Sequence, residues 1–483
     1  MRRAILKLLP AVACACLAAC GAADKSRPLN VLFITADDLG LVIGSYGETL
    51  IETPHMDALA AEGVRFEVAY VTQASCSPSR SSMFTGMYVH STGQYGLTGP
   101  TREKDAWFKL HPELRDKTIP NLLKKAGYRT GIIGKLHVAP ESNFQFDFRP
   151  DVNTREVRKV AAAAEDFLAQ AGGQPFFLMV NYSDPHAFRK PDNPKEWYFP
   201  PQVDGLPENP LPPSEKTIFP WQRIDTPEQR VRTAGYYNAV QRLDDGIGML
   251  MDVMRRRGHG DDTLVIFVGD HGPPFARGKT TVYEAGLRVP FIVKWPGVSR
   301  AGMASRAMVS TVDILPTILD ATGQPIPENV QGRSLRPVLA GPEAPWREYL
   351  AGEYHFHGVT VFYPRRAIRD GRWKLIHNLL AGRAKPWPRI DGDDAYRISQ
   401  GPEYAGTDVQ RAFATFADPP EFELYDLEND PVEFHNLAGD PAHAATLERM
   451  KQALLEWRRE TNDPFLDPAW IEKYIEYARA ARR

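Results

Sequence analysis

The chain has 483 residues, of which 43% are hydrophobic and 24% charged, and its formal net charge is -2. This composition is typical of a globular protein with a large core, and the length favours two domains. The near balance of charge argues against a nucleic-acid-binding protein, because such proteins usually carry a clear excess of lysine and arginine. A local basic pocket for a small anion stays compatible with this composition.

The N-terminal segment has the features of an export signal. Arg2-Arg3 precede an apolar stretch that ends in Leu17-Ala18-Ala19-Cys20. This ending resembles the lipobox of bacterial lipoproteins, which implies cleavage before Cys20 and acylation of its sulfur; plain secretion is the alternative. We therefore expect a signal peptide at 1–19, a tether at 20–27 and attachment to the membrane by a lipid anchor only. The corresponding location is the periplasm or the outer membrane of a Gram-negative bacterium.

The segments that follow alternate between predicted strands and helices. Residues 30–36, "NVLFITA", are short, apolar and β-branched, as expected of a buried parallel strand. "HMDALAAEGVRF" and "IPNLLKKAGYRTGIIGK" each predict a helix that ends at a glycine and leads into a strand. "QPFFLMVNY" is a further apolar strand, and the amphipathic helix "EQRVRTAGYYNAVQRLDDGIGMLMDVMRR" precedes the strand "DTLVIFVG". This alternation predicts an α/β fold with a large, mostly parallel sheet between helices.

From about residue 350 the pattern changes. "RRAIRDGRWKLIHNL" and "EFELYDLEND" predict antiparallel strands, and "PAHAATLERMKQALLEWRRET" predicts an amphipathic helix. We therefore expect a first domain at 28–350 and a smaller C-terminal α+β domain with an antiparallel sheet at 351–483.

Polar residues follow four of the predicted strands of the first domain. They are Asp37-Asp38, Lys135-x-His137, Asp184-x-His186 and Asp270-His271. The carboxyl ends of parallel strands meet at one edge of a sheet, and ligands of open α/β sheets bind at that edge. The sequence therefore predicts one site built from these strand ends.

The three carboxylates Asp37, Asp38 and Asp270 indicate a metal site. Clustered carboxylates repel one another unless a cation neutralises them. Oxygen ligands favour calcium, while the imidazole of His271 is a softer ligand and leaves magnesium or manganese as alternatives.

Cys76 is the one cysteine beyond residue 20. Pro78 suits the first turn of a helix and Ser77 its N-cap, with Gly86 as the end, so Cys76 is expected just before the helix N-terminus. Free backbone N–H groups favour an anion there, and Arg80, about one turn along, is placed to brace Cys76 or to pair with that anion. A buried structural thiol is the alternative interpretation.

The stretch Cys76-Ser77-Pro78-Ser79-Arg80 resembles the Cys-x-Pro-x-Arg signature of the type I sulfatases, in the alkaline phosphatase superfamily. The segments "DDLG", "GKLH", "DPH" and "GDHG" occur in that family's order. The resemblance implies an alkaline phosphatase-like sandwich from about residue 28 onward. It implies that a formylglycine-generating enzyme converts Cys76 to Cα-formylglycine, whose hydrate is the nucleophile.

The resemblance also implies roles for the residues at the strand ends. Asp37, Asp38, Cys76 and Asp270 correspond to metal ligands, and His271 adds a nitrogen ligand or a hydrogen-bond donor. The residues expected to stabilise charge on the sulfuryl group are Arg80, Lys135 and Lys279. His186 is the candidate acid for the leaving group, with Lys279 as the alternative, and His137 is the base that releases sulfate.

Within the family, "GIIGKLHVAPES", "FYPRRAIRDGRWKLIHNL" and "ETNDPF" look most like the N-sulfoglucosamine sulfohydrolases, also called heparan N-sulfatases or sulfamidases. This implies an exo-acting enzyme on heparin or heparan fragments, with a sulfated saccharide as substrate. Three positions differ from that group. His271 stands in place of an asparagine, Lys279 in place of an arginine, and Gly358 in place of a glutamate. His355, His357 and Arg366 are the candidate substrate-binding residues of the C-terminal segment.

Three other functions stay open. The first is an O-sulfatase on another sulfated saccharide, and the second a phosphonate or phosphodiester hydrolase. The third, from a different class, is a surface lipoprotein that only binds glycans.

Overall fold

The computed structural model describes residues 28–99 and 108–481. The expected signal peptide, the tether and the lipidation site Cys20 lie outside the described residues. Among the helices within the described ranges, none is both long enough and apolar enough to cross a membrane.

The described residues contain fifteen strands and thirteen α-helices. The strands are β1 (Asn30–Ala36), β2 (Val64–Phe66), β3 (Ala69–Tyr70), β4 (Arg129–Gly134), β5 (Phe176–Tyr182), β6 (Phe188–Arg189), β7 (Trp197–Tyr198), β8 (Thr263–Gly269), β9 (Phe291–Lys294), β10 (Met303–Ser305), β11 (Val309–Ser310), β12 (Leu350–Phe356), β13 (Phe362–Arg369), β14 (Trp373–Asn378) and β15 (Phe422–Asp426). The helices are α1 (Pro54–Glu62), α2 (Cys76–Thr85), α3 (Val89–Thr92), α4 (Ile119–Lys125), α5 (Val157–Ala171), α6 (Pro227–Arg256), α7 (Glu284–Leu287), α8 (Ile314–Ala321), α9 (Arg336–Ala340), α10 (Ala395–Ser399), α11 (Asp408–Ala417), α12 (Ala444–Glu460) and α13 (Pro468–Ala480).

A seven-stranded sheet forms the centre of the molecule, in the order β10-β2-β9-β8-β1-β5-β4. β1 pairs in parallel with both β5 and β8, and β4 pairs in parallel with β5. β9 is antiparallel to its neighbours β8 and β2, so the sheet is mixed at that point. The mostly parallel sheet expected from the sequence is confirmed, and its parallel strands β1, β4, β5 and β8 bring their carboxyl ends to one edge.

Both faces of this sheet are covered by helices. Val31 and Phe33 of β1 pack into one core, and Leu32 and Ile34 pack into the other, all fully buried. The first core includes residues of α2, α4 and α8, and the second includes residues of α1, α5 and α6. A strand buried on both faces has apolar side chains in succession, which is why "NVLFITA" shows no alternation.

The C-terminal segment forms an antiparallel sheet in the order β12-β13-β14-β15, as expected. One face contributes Tyr354 and Ala367 to the core that α2 shares. The other face packs on α12, with Ile368 and Leu375 against Met450. The division into domains at residue 350 stays a prediction.

One local expectation needs correction. The strand expected after the helix in "HMDALAAEGVRF" is short and is followed by a second one, because the chain leaves the large sheet after β2 and β3 pairs with β11 in a separate two-stranded sheet. Helix α1 ends before Gly63 as expected, and Gly63 has an extended backbone with φ -122°. A glycine is needed there because a Cβ would lie 2.6 Å from the carbonyl oxygen of Val293.

Candidate active site

Helix α2 carries Cys76 at its first position. Ser75 is the N-cap, with extended backbone at φ -159°, so the expectation that Ser77 caps the helix and Cys76 precedes it is wrong by two residues. The helix starts earlier because Pro78 is tolerated at its third position, where the N–H would have no intrahelical partner. Ser77 instead accepts a hydrogen bond from the N–H of Thr98 at 3.0 Å. The end at Gly86, with φ +68°, is as expected.

The turns after β1 and β8 bring three carboxylates beneath this helix. The N–H of Asp38 donates to Oδ1 of Asp270 at 2.9 Å, and Asp38 adopts φ +69°. The N–H of Asp270 donates to the carbonyl of Ala36, which extends the pairing of the two strands by one residue. The turns are thus locked to each other, and Asp37, Asp38 and Asp270 are all buried.

Four of the expected metal ligands converge in one buried group. Each of Asp37, Asp38, Cys76 and His271 offers one ligand atom, and these atoms all lie within 4.8 Å of one another. Asp270 stands beside the group, and its two oxygens accept hydrogen bonds from Asp38 N–H and Arg80 Nε.

The donor atoms of this group suit a divalent cation. Oδ1 of Asp37 is buried and accepts no hydrogen bond. Nδ1 of His271 lies 2.9 Å from the carbonyl of Gly272, whereas Nε2 points to Sγ of Cys76 at 3.3 Å and to Oδ1 of Asp38 at 3.2 Å. A ring held by a carbonyl at one nitrogen presents the other to a metal. The residues present therefore fit a resident metal ion.

Three cations balance the carboxylates. Nζ of Lys135 lies 2.6 Å from Oδ2 of Asp37, and Nζ of Lys279 lies 3.0 Å from Oδ1 of Asp38. Burial alone would raise the pKa of Asp37, but Lys135, His186 and Arg80 hold that pKa well below its ordinary value. Burial also raises the pKa of the Cys76 thiol well above its ordinary value.

Arg80 braces the strand ends rather than Cys76. Its Nε donates to Asp270 at 3.0 Å, and its Nη1 lies within hydrogen-bonding distance of Thr35, Asn181 and the carbonyl of Lys135. Its Nη2 is buried without a hydrogen bond and lies 4.0 Å from Oδ1 of Asp37. One donor of Arg80 is thus still available to an anion at the site.

His137 and His186 also belong to this edge of the sheet. His137 has φ +56°, and its Nδ1 is buried without a hydrogen-bond partner. Burial and the charge of Lys135 lower the pKa of His137 well below its ordinary value. Nε2 of His186 lies 3.8 Å from Oδ2 of Asp38. Asp184, by contrast, is held by Arg242 and is structural.

Asp391 is a residue of the site that the sequence did not reveal. Its Oδ2 lies 2.9 Å from Nζ of Lys279, and it forms a second potential metal-binding group with Asp38 and His186. Burial would raise the pKa of Asp391, but Lys279 lowers it far below its ordinary value. The available signal was weak: Asp391-Gly392 reads as a turn, and both residues do have positive φ.

The structure separates the three candidate substrate-binding residues. Nδ1 of His357 lies 2.9 Å from Oγ of Ser75, next to Cys76, which places His357 at the site. His355 and Arg366 are fully buried in a different ion-pair cluster, where they contact Glu353 and Asp463 respectively. Arg366 is committed to Asp463 through two hydrogen bonds, of 2.8 and 2.7 Å.

The site opens to solvent beside Lys135. The side chain of Lys135 is 26% exposed and that of His186 is 18% exposed, whereas Asp38 and His271 are fully buried. Lys135 also lines a polar cavity of about 390 Å³ with Asn153. The exposed parts of Lys135 and His186 therefore mark the side of the site that solvent reaches.

Comparisons with known proteins agree with this geometry. A family model for sulfatases matches residues 29–324, and a model for the C-terminal part of N-sulphoglucosamine sulphohydrolase matches residues 269–391. Human N-sulphoglucosamine sulphohydrolase is 34% identical over 95% of this chain and 95% of its own length. An ulvan-active sulfatase of Formosa agariphila is 28% identical over 91% of this chain and 81% of its own.

A protein solved in complex with its substrate D-glucosamine-2-N,6-O-disulfate has the same fold. The two structures superpose with a TM-score of 0.65 at 22% sequence identity, over 90% of this chain and 99% of the other. The sulfatase model covers all seven strands of the large sheet and the whole metal-binding group. The chain therefore belongs to the sulfatase family and is a hydrolase of sulfuric esters or sulfamates.

Proposed function

We propose that this sulfatase removes N-sulfate from glucosamine at the end of heparin or heparan fragments. The observation that carries the proposal is the match of residues 269–391 to the C-terminal model of N-sulphoglucosamine sulphohydrolase. This segment supplies Lys279, His357 and Asp391, which form the wall of the site around the buried carboxylates. The relative at 34% identity, which carries the same name, supports the same substrate.

The resident metal in this proposal is calcium, held by Asp37, Asp38 and His271 with the oxygen that replaces the sulfur of position 76. Asp270 completes the charge of the group. Carboxylate oxygens favour calcium, and the imidazole of His271 keeps magnesium or manganese as alternatives. When bound, such an ion polarises a sulfate oxygen and lowers the pKa of a bound hydroxyl.

The nucleophile in this proposal is formylglycine made from Cys76 by a formylglycine-generating enzyme. Its hydrated aldehyde supplies one hydroxyl to attack sulfur and a second whose deprotonation releases sulfate. A thiol has only one proton to lose and offers no second hydroxyl, so it could not release the sulfate in this way.

The surrounding residues bind the sulfuryl group and move protons. Lys135, Lys279 and the free Nη2 of Arg80 neutralise the sulfuryl oxygens, together with the N-terminus of α2. His186 is partly exposed at the mouth of the site, which suits protonation of the leaving nitrogen. Lys279 is held between Asp38 and Asp391, so it serves better as a fixed charge than as the acid. His137, whose Nδ1 is unpartnered, takes the proton that accompanies sulfate release.

The proposed location is outside the cytoplasm. The lipobox-like ending at Cys20 supports an acylated lipoprotein with its signal peptide at 1–19, in the periplasm or at the outer membrane of a Gram-negative bacterium. Labelling of Cys20 with a fatty acid analogue, compared with a Cys20→Ala control, tests this assignment.

The test of the substrate uses protein whose position 76 has been checked for formylglycine by peptide mass. Glucosamine N-sulfate, glucosamine 6-O-sulfate and a 2-O-sulfated uronate disaccharide are each incubated with enzyme and calcium. The proposal predicts sulfate release from the N-sulfated sugar alone, with an equal amount of free amine. Release from an O-sulfated sugar alone would overturn it in favour of an O-sulfatase.

A further inference from the structure

Arg365 in β13 is a buried arginine without an ionic partner. Its relative exposure is 2%, and no carboxylate of the described residues lies within 4.0 Å of its guanidinium. Its Nε is buried without a hydrogen bond. Its observed contact is the face of Tyr363, with 4.9 Å between the guanidinium carbon and the ring centroid. An isolated buried charge is costly, so this arrangement calls for an anion.

The other buried arginines of the described residues all donate to an oxygen of the protein. Arg366, the next residue along the strand, is paired with Asp463. Arg277, which lacks a carboxylate partner, donates instead to backbone carbonyls such as those of Ala412 and Val432. Further pairs are Arg80 with Asp270, Arg242 with Asp184, Arg369 with Glu284 and Arg458 with Asp463. Arg365 is therefore the exception.

The cavity that Arg365 lines holds a second unpartnered donor. The cavity has a volume of about 60 Å³ and includes Tyr363, whose hydroxyl is buried without a hydrogen bond. Arg389 lies on the same wall but is paired with Asp394. No aspartate or glutamate lines the cavity in the part of the chain that the structure describes. Two donors without acceptors in one cavity favour an anion.

Nearby carboxylates are already occupied. Both oxygens of Glu423, on β15, accept hydrogen bonds, from Tyr283, Tyr425 and Asn378. Asp391 lies against Lys279. Neither carboxylate lies within 4.0 Å of the Arg365 guanidinium, and each is held in place by these other contacts.

The cavity shares its wall with the active site. His357 lines it and lies 2.9 Å from Ser75, the residue before Cys76. Thr280 lines it directly after Lys279, and Ile390 lines it directly before Asp391. An anion beside Arg365 can therefore belong to the same ligand as the sulfate that is cleaved.

We propose that this cavity is a subsite in which Arg365 and Tyr363 bind a second anionic group of the saccharide. The inference rests on the proposed function, because it places the second anion on the same sugar or on its neighbour. A sulfate ester and a uronate carboxylate both offer the paired oxygens that a guanidinium recognises. The experiment separates these two sources.

The first test measures whether Arg365 binds an anion, independently of which saccharide is the substrate. In chloride buffer, Arg365→Met should unfold at the same temperature as the wild type or higher, since an unpaired charge is removed. The matched control Arg366→Met should unfold at a clearly lower temperature, because Asp463 loses the two hydrogen bonds that Arg366 donates and keeps only Arg458 as an ionic partner. Inorganic sulfate should raise the midpoint of the wild type more than that of Arg365→Met. Equal sulfate shifts, or a loss in Arg365→Met as large as in the control, would overturn the subsite.

The second test identifies the source of the anion by sulfate release. Glucosamine N-sulfate carries one anion, glucosamine N,6-O-disulfate adds a sulfate, and an N-sulfoglucosaminyl uronate adds a carboxylate. Arg365→Gln should lower kcat/KM for one of the two dianionic sugars about tenfold more than for the singly charged one, and Arg365→Lys should restore part of the difference. The dianionic sugar whose kcat/KM falls more than that of glucosamine N-sulfate identifies the anion that Arg365 binds.

Equal losses on all three sugars would overturn a role in recognising the second anion. If the wild type releases sulfate from none of them, the proposed function fails, while the sulfate-dependent midpoint still decides whether Arg365 forms an anion site. Arg372→Gln is the control, since Arg372 stacks on Trp373 but is exposed and paired with Asp426.

Discussion

Two of the buried clusters of charged side chains in the described residues differ in how their polar atoms are used. The site cluster consists of Asp37, Asp38, Asp270, Arg80 and Lys279, at the ends of the parallel strands. The clamp cluster consists of Glu353, His90, Arg366, Asp463 and Arg458. It lies where β12 and β13 meet α3, the last turn of α12 and the segment after α12.

Pairing in the clamp cluster is extensive. Asp463 accepts two hydrogen bonds from Arg366 and a third from Arg458. Glu353 accepts hydrogen bonds from the backbone and the ring of His90 and lies 2.9 Å from His355. The site cluster, in contrast, leaves Oδ1 of Asp37 and Nη2 of Arg80 buried without hydrogen bonds.

Burial of charge therefore does not by itself mark a functional site. The clamp cluster holds the C-terminal segment against the strands, and its charged groups form ion pairs with one another. The unpartnered atoms of the site cluster have room for a metal and an anion. His355 and Arg366 were assigned to the substrate from sequence because residue type shows charge but not pairing.

The largest expected effect concerns the site cluster. Cys76→Ala should lower kcat by a factor of about 10⁴ or more, because the nucleophile is removed. The free energy of unfolding should change little, since the thiol has no ionic partner to lose. Sulfate release and thermal unfolding of the same preparation check both parts. Residual turnover within tenfold of the wild type would contradict the assignment of position 76.

The opposite pattern is expected for the clamp cluster. Asp463→Asn should lower the free energy of unfolding by about 3–5 kcal/mol, because Arg366 and Arg458 lose the charge that pairs with them. The kcat of the folded fraction should stay near that of the wild type. Denaturant titration and an active-site count measure the two quantities.

Arg372→Gln provides the exposed control for that experiment. It breaks a pair at the surface with Asp426, and such pairs contribute about 0–1 kcal/mol. If both variants lost the same free energy, the contrast between buried and exposed pairing would not hold.

Metal binding should stabilise the folded protein only when the site cluster is intact. At a calcium concentration about 100 times the Kd, the expected gain in the free energy of unfolding is about 2.7 kcal/mol. Asp38→Asn should lose most of this increment, and Asp463→Asn should keep it. Unfolding with calcium and with a chelator gives the increment for each protein. An increment that survives in Asp38→Asn would place the ion elsewhere.

The smallest expected effect is a difference between the wild type and Asp463→Asn in how the free energy of unfolding depends on pH. Burial would raise the pKa of Asp463 and Glu353, but Arg366 and His90 respectively lower these pKa values below the ordinary range. Below about pH 4.5 the unfolded chain binds more protons than the folded one, so the stability that these carboxylates contribute is lost as the pH falls.

Asp463→Asn removes one of these two groups. Its slope of unfolding free energy against pH, below pH 4.5, should be shallower by up to about 1.4 kcal/mol per pH unit. Urea titrations from pH 5 to pH 3 measure both slopes. Parallel slopes would mean that Asp463 titrates normally in the folded protein.

Local patterns were enough to predict the parallel strands and the residues at their ends. β1 and β8 are runs of apolar residues bounded by polar turns, and the topology of such sheets places Asp37 and Asp270 together. The helix at Cys76 was predicted, but its start was two residues late because proline at the third position is as acceptable as at the first.

The rest of the site depends on contacts between distant segments. Asp391 lies in a loop after β14, and the packing of the C-terminal sheet, rather than any strand end, brings it to Lys279. Arg365 and Arg366 are adjacent and identical in type, and successive side chains of a strand point to opposite faces. Sequence does not show which of them meets an aspartate and which lines a cavity without an acidic residue.

The burial of helix α2 has a consequence for the timing of maturation. All ten of its residues are buried, and Cys76 is 2% exposed. An enzyme that modifies a cysteine must bind that residue in its own active site. In the folded protein Cys76 is not accessible for such binding. On the proposed function, oxidation of Cys76 therefore has to precede folding. A molecule that folds first keeps the thiol. The active fraction of a preparation therefore depends on the rate of the maturation enzyme relative to the rate of folding.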